Sequence, residues 1–277
     1  MRVLNYHAFW SKGAISWLPR LTCDSDNDSM RRFQAVNVRR LFERAGRAIE
    51  DSLMPERCVF CGVDCENGER FVCIGCADDL PRIDHACPRC AQAAGAPLRS
   101  DVTCADCQIR PPPFVAARAP FSYEFPVDAA IKALKFRHKL FYVPALGALL
   151  ESAFAELPSD IDVLLPVPLH WQRHAVRGFN QARELCKPLQ KSTGLPILKA
   201  VVRSRPTPYQ SGLNAKQRRR NLRRAFEVRS VIHATHVLIV DDVITTGETC
   251  RELASALLQG GVDKVSVLAV ARAARNS

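Results

Sequence analysis

The sequence predicts an α/β domain, a mostly parallel sheet with helices on both faces, preceded by a small cysteine-rich zinc-binding module. Three observations carry that reading. From Phe114 onward, short apolar runs alternate with helix-length amphipathic stretches. Between Cys58 and Cys107, eight cysteines fall into four Cys-x2-Cys pairs. Between these regions, Arg110-Pro111-Pro112-Pro113 forms a stiff, helix-breaking linker.

At 277 residues, 47% of them hydrophobic, the chain can bury one medium core beside a small module. No apolar run approaches the length of a membrane helix and no secretory signal is evident, so no membrane span and a cytoplasmic location are expected. The net charge is +11, with ten basic residues against one acid, Glu227, between Lys199 and Arg229. Such a stretch favours polyanionic partners, although a solvated helix face is the commoner origin of a charge run. Twelve cysteines without a signal peptide favour metal over disulfides.

Three regions follow. Residues 1–55 are Arg-rich and poorly patterned, with an acidic break at Asp24, Asp26 and Asp28. They predict a largely disordered tail, but Val38, Leu41, Phe42, Ala45, Ile49 and Leu53 recur at helical spacing and predict an amphipathic helix over about 36–53. Residues 56–110 carry the cysteine pairs and residues 114–274 the α/β pattern. There, helices are expected over 125–137, 143–157, 178–191 and 248–259, and strands over 161–165, 197–202, 237–240 and 264–270. In a parallel sheet, ligands sit beyond the carboxyl ends of the strands, which directs attention to the loops after Leu165 and Val240.

The run Val237-Leu-Ile-Val-Asp241-Asp242-Val-Ile-Thr245-Thr246-Gly247-Glu248-Thr249 is the most informative. An apolar strand is followed by two adjacent carboxylates and a hydroxyl-rich turn that opens a helix. Gly247 permits close backbone approach, the free amides of the first helical turn point at an anion, and Thr245, Thr246 and Thr249 add hydroxyl donors. Asp241 and Asp242 can accept hydrogen bonds from a vicinal diol. The bland alternative is a capped helix behind a solvated turn. The run resembles the phosphoribosyl pyrophosphate signature of type I phosphoribosyltransferases. That resemblance implies a ribose 5-phosphate on Thr245, Thr246, Gly247 and Thr249, with Asp241 and Asp242 as the catalytic acid pair.

Two further segments are polar and basic. After the first buried strand come Pro166-Val-Pro168, His170, Arg173 and Arg177-Gly-Phe-Asn-Gln181, which concentrate charge suited to pyrophosphate. Taken singly, Arg173 and Arg177 also read as surface charges and His170 as a structural residue. The segment Arg203-Ser-Arg205-Pro-Thr207-Pro-Tyr-Gln210 reads as a mobile loop that leads into a basic helix. Together with Leu213, Asn221, Phe226 and the early Ala133-Leu-Lys135-Phe136, these segments resemble the ComF/GntX family over roughly Cys58 to Arg272. The resemblance implies the type I phosphoribosyltransferase fold, phosphoribosyl pyrophosphate with Mg2+, and a role in DNA uptake during natural transformation. Single-stranded DNA and competence or helicase proteins are the partners it suggests. A non-catalytic phosphoribosyl pyrophosphate or nucleotide sensor that binds single-stranded DNA through the zinc-binding cysteine module, read as two zinc ribbons, and the basic segment is the rival reading.

Each Cys-x2-Cys turn aims two thiolates at one point, and two turns close a tetrahedral Zn2+ site. Four turns imply two structural zincs, held by Cys58, Cys61, Cys73, Cys76, Cys87, Cys90, Cys104 and Cys107. Sequential pairing is favoured because each loop is short enough to close alone, whereas a cross-brace would interleave the pairs. Cys23, Cys65, Cys186 and Cys250 fall outside the spacing.

Overall fold

The structure, a computed structural model, describes residues 57–65, 71–97, 102–204 and 225–274, all within one unit, Pro55–Ser277. The expected tail and its helix, the loop expected around Arg205, and Cys23 lie outside the described residues.

The cysteine module contributes two single-turn helices, α1 (Ile74–Asp78) and α2 (Ala105–Ile109). Each follows a cysteine in extended conformation, Cys73 and Cys104. Behind the proline linker, β1 (Ala116–Arg118) and β2 (Phe121–Ser122) form an edge strand in two pieces, interrupted at Ala119-Pro120. Two helices follow, α3 (Val127–Arg137) and α4 (Tyr142–Phe154), then β3 (Val163–Pro166). After β3 come α5 (Trp171–Arg177) and α6 (Gln181–Thr193). A short antiparallel pair, β4 (Val201–Arg203) with β5 (Phe226–Val228), precedes β6 (His236–Ile244), α7 (Glu248–Gln259) and β7 (Lys264–Arg272).

The main sheet runs β1-β7-β6-β3, with β2 also on β7, and every pairing is parallel. Its two faces follow from the period of two along a strand. Leu165, Val237, Ile239, Val265 and Val267 pack toward Leu253 and Leu257 of α7. Leu164, Leu238, Val240, Leu268 and Val270 pack toward α3, α4 and α6 through Ile131, Leu146 and Leu185. A strand buried on both faces has no polar alternation, which explains the continuous apolar runs in the sequence.

One expectation is corrected. The stretch 197–202 is not one strand: Ile197 makes an isolated parallel bridge to Leu164 beside β3, while Val201–Arg203 turns away into the antiparallel pair. Both pieces are apolar, so the run reads as continuous. In addition, β6 extends through both carboxylates to Ile244 rather than ending before them. The pairings Asp241 with Ala269 and Val243 with Ala271 keep the acid pair in the sheet ladder.

The α4–α6 contact rests on an absent side chain. A Cβ at Gly147 would lie 2.5 Å from Cγ of Pro188, a rigid ring that cannot rotate away. Gly147→Ala is therefore expected to destabilise the protein, since overpacking at about 1–3 kcal/mol exceeds the roughly 1 kcal/mol gain in helix propensity. Urea unfolding measures the sign.

Candidate functional site

Asp241 and Asp242 stand near the open end of β6, where the parallel sheet leaves the ends of its strands uncovered by crossovers. Their environments differ. Asp242 is buried and its Oδ1 receives Lys135 Nζ at 2.6 Å. Burial alone would pull the Lys135 ammonium down, but the charges of Asp242 and Asp241 outweigh it and hold its pKa above the ordinary value. Asp241 accepts the amide of Asp242 at 2.9 Å. Burial, reinforced by the neighbouring Asp242 charge, pushes its carboxyl up to about 7, against the weaker pull of Lys135, the Asp242 amide and Arg203.

The turn beyond β6 has the expected shape for a partly different reason. Gly247 caps α7 at φ 78°, in the left-handed region, and a Cβ there would meet nothing closer than 3.8 Å. Backbone conformation, more than space, therefore calls for glycine. Thr245 is exposed, and Thr246, Gly247 and Thr249 are half-buried. The Thr246 hydroxyl accepts the Glu248 amide at 3.4 Å, so it serves the turn itself. Glu248, the motif residue to which the sequence assigns no role, is buried and pairs with Arg110 at 3.5 Å.

The β3 loop lies beside β6 just before the acid pair, where Val167 donates its amide to the Val240 carbonyl at 2.9 Å. Asn180 fixes the loop from the other side. Its amide nitrogen donates to the Val167 carbonyl at 3.0 Å, and its oxygen caps α6 by accepting from Ala182 at 3.0 Å. Buried His170 accepts the Gln172 amide on Nδ1 at 3.3 Å, at the start of α5. Arg173 falls within α5, and its side chain is outside the described set. Arg177 lies 5.2 Å over the ring of Phe136, the neighbour of Lys135, and donates to Gln181 at 3.4 Å. Buried Arg203 lies 5.6 Å over Phe226 and acts on Asp241. The structure thus brings the acid pair, the threonine turn, the β3 loop and Arg203 to one end of the sheet, and it adds Lys135. Sequence reading placed Lys135 in a motif without giving it a task, because its partner lies more than a hundred residues away.

The eight cysteines gather as two quartets, Cys58, Cys61, Cys73, Cys76 and Cys87, Cys90, Cys104, Cys107, with sulfurs within 4.8 Å of one another in each. The pairing is sequential. Four sulfurs at about 2.3 Å from a tetrahedral zinc stand about 3.8 Å apart. The Cys61–Cys73 and Cys90–Cys104 separations, 3.6 and 3.7 Å, fit that edge. The Cys104 amide donates to Cys87 Sγ at 3.3 Å, as expected of a thiolate. Burial opposes ionisation of Cys58 and Cys87, but backbone amides outweigh it and hold them down to about 6 and about 7. Burial pushes Cys90 up to about 11, with the charge of Cys87 adding to it. Bound Zn2+ would supply the positive charge that four converging thiolates need.

A family model described as a double zinc ribbon domain matches residues 49–108. The chain is 33% identical over 225 residues to the DNA utilization protein YhgH of Escherichia coli strain K12, spanning 79% of this chain and 98% of that one. It is 30% identical over 229 residues to competence protein F of Haemophilus influenzae, spanning 78% and 97% respectively. Among solved structures, a glutamine phosphoribosylpyrophosphate amidotransferase from B. subtilis matches 44% of this chain and 24% of its own at 22% identity, with a TM-score of 0.30. That overlap is too loose to bear on function. Paired ribbons ahead of a parallel α/β domain define the class, a double-zinc-ribbon protein with a parallel α/β domain. Within that class, the chain belongs to the ComF/GntX family of competence protein F and YhgH.

Elemental analysis should find two zinc ions per chain, and Cys58→Ser/Cys61→Ser should retain one. For Asp241, a folded pKa of about 7 against the ordinary 3.8 means that the native state binds the proton more tightly than the unfolded chain. Stability is then lost as pH rises from about 4 to about 7, and the full penalty persists above that window. Asp241→Asn should raise Tm by roughly 3–6 °C at pH 8 and by almost nothing near pH 4, as read by calorimetric scans.

Proposed function

We propose that this protein binds phosphoribosyl pyrophosphate at the end of β6 and transfers the phosphoribosyl group to an acceptor during the uptake or use of DNA. The observation that carries the reading is the juxtaposition of the acid pair with a hydroxyl-lined helix start on one parallel strand. The 5-phosphate would take the amides of the first α7 turn with the hydroxyls of Thr245 and Thr249. Asp241 and Asp242 would accept the two ribose hydroxyls, and Arg203, with Arg177, Arg173 of α5 and the loop residue Arg205, would meet the charge of the departing pyrophosphate. His170 would hold the β3 loop that receives it. Mg2+ arriving with the diphosphate would neutralise its oxygens. The ion pair with Lys135 fixes the Asp242 carboxylate in place to accept from a diol hydroxyl. The DNA context comes from the names of the relatives, a DNA utilization protein and a competence protein. Cytoplasmic action agrees with thiolate-bound zinc, which a reducing compartment preserves.

A second reading rests on a cavity of about 690 Å3 against β3 and β4, which shares Arg203, Asn180 and the β3 loop with the first site. Trp171, 68% exposed, lines it together with Arg183, Lys199, Arg203 and Arg229, and no acidic residue does so among the described residues. Cations around an open aromatic face suit single-stranded DNA, with bases stacking and phosphates paired. This surface supports DNA contact more directly than the ribbons do.

Transfer is tested by pyrophosphate release from phosphoribosyl pyrophosphate and Mg2+ in the presence of ammonia or free nucleobases. The wild type should turn over and Asp241→Asn/Asp242→Asn should fall at least about a hundredfold, the loss expected when a transition-state contact is removed. Release that survives in the double variant would overturn the assignment of the acid pair. For the cavity, Trp171→Ala should weaken oligo-dT binding by on the order of tenfold, with affinity falling steeply as salt rises. Unchanged affinity would remove that surface from the account.

A further inference from the structure

The turn that would carry the 5-phosphate is held by side chains that the phosphate reading does not use, and they lead to the second cysteine quartet. Arg272, at the end of β7 and 2% exposed, donates Nη1 to the Ile244 carbonyl at 2.8 Å and also to the Thr245 carbonyl. The Ala273 amide adds a bond to Ile244 at 3.0 Å. On the opposite side of the turn, Glu248 binds Arg110. One helical turn on, Arg251 donates to the carbonyls of Arg110 at 3.0 Å and Pro111 at 3.2 Å. The linker is therefore fastened to the first two turns of α7.

The linker is fastened equally to the ribbon. Arg89, inside the Cys87–Cys90 turn, donates to the Pro112 carbonyl at 3.1 Å. The Pro88 carbonyl of the same turn accepts the Ala117 amide at 3.1 Å and Arg118 Nη1 at 3.3 Å. Burial draws the guanidinium of Arg272 below its ordinary value, and burial followed by Arg110 does so for Arg251. The sulfurs of Cys90 and Cys107 lie near enough to both to work against that shift. A zinc tetrathiolate carries a net negative charge and would favour both arginines in place. No comparable path joins the first quartet to the turn among the described residues. Its ribbon meets the α/β domain instead through Phe60, whose ring lies 6.4 Å from that of Tyr142.

We propose that the second zinc ribbon, through Arg110, Glu248, Arg251 and Arg272 as positioning residues, sets the conformation of the Thr245–Gly247 turn and so its affinity for a phosphate monoester, while the first ribbon does not. The affinity part of this proposal rests on the sugar-phosphate reading of the turn. The conformational part does not.

The test uses zinc-loaded full-length protein and three variants, Glu248→Gln/Arg251→Met, Cys90→Ser and Cys58→Ser/Cys61→Ser. Hydrogen exchange over 244–252 reads the turn without any ligand. Exchange should speed up roughly tenfold in the first two variants and stay at the wild-type rate in the third. Calorimetry with ribose 5-phosphate should show a roughly fivefold to tenfold loss of affinity in the first two and none in the third. Coupling is reciprocal, so saturating ribose 5-phosphate should protect zinc in the second quartet against an equilibrium chelator, raising its affinity by a similar factor. That protection should vanish in Glu248→Gln/Arg251→Met, an effect that a merely structural role would not produce. If Glu248→Gln/Arg251→Met exchanges like the wild type, the proposal fails, even if Cys90→Ser misfolds its ribbon. If the wild type shows no affinity for ribose 5-phosphate while the exchange pattern holds, the sugar-phosphate reading fails and the coupling stands.

Discussion

Two adjacent carboxylates inside a parallel strand impose the constraint on which the rest of this site depends. Two negative charges so close, one of them buried, repel each other and lose hydration. Lys135, delivered by the last turns of α3, meets Asp242 at 2.6 Å and leaves Asp241 to carry the residual penalty. The sheet imposes a second condition. The two residues point to opposite faces of the strand, so one can be sealed against α3 while the other faces the β3 loop and Arg203. A strained acid pair of this kind is unfavourable for folding and is expected where a ligand is to be held.

Zinc solves a separate problem in the cysteine region. The buried cluster of the second ribbon consists of Cys87, Cys90 and Cys107 with Cys104 against them, and it contains no aliphatic side chain. Such a module cannot offset its own conformational entropy by hydrophobic burial. Metal binding, worth on the order of ten kcal/mol per site in zinc-finger peptides, is the remaining source of folding free energy. The ribbon then serves as a rigid block against which the linker and the start of α7 are braced.

Much of this was legible in the sequence because the relevant signals are local. Cys-x2-Cys spacing, the apolar run of β6 and the Thr-Thr-Gly turn each act within a few residues. The edge strands β1 and β2 escaped notice because three and two residues are too few to show a period. Helix α5 was hidden in a segment read for its charges. The run 197–202 misled because apolar character does not reveal that the chain changes sheets after a single bridge. The partners of Lys135, Arg110 and Arg251 were invisible for another reason. Each interaction joins residues more than a hundred positions apart, and no local pattern encodes such a pair.

On the proposed function, the end of β6 recognises a phosphorylated ribose by its phosphate and its diol together. The most direct measurement is a calorimetric series on zinc-loaded protein with Mg2+, titrating phosphoribosyl pyrophosphate, ribose 5-phosphate, 2-deoxyribose 5-phosphate and ribose. Phosphoribosyl pyrophosphate should bind tightest, ribose 5-phosphate more weakly, the deoxy sugar more weakly still, and ribose not measurably. Equal binding of ribose and ribose 5-phosphate, or no heat with any of the four, would contradict it.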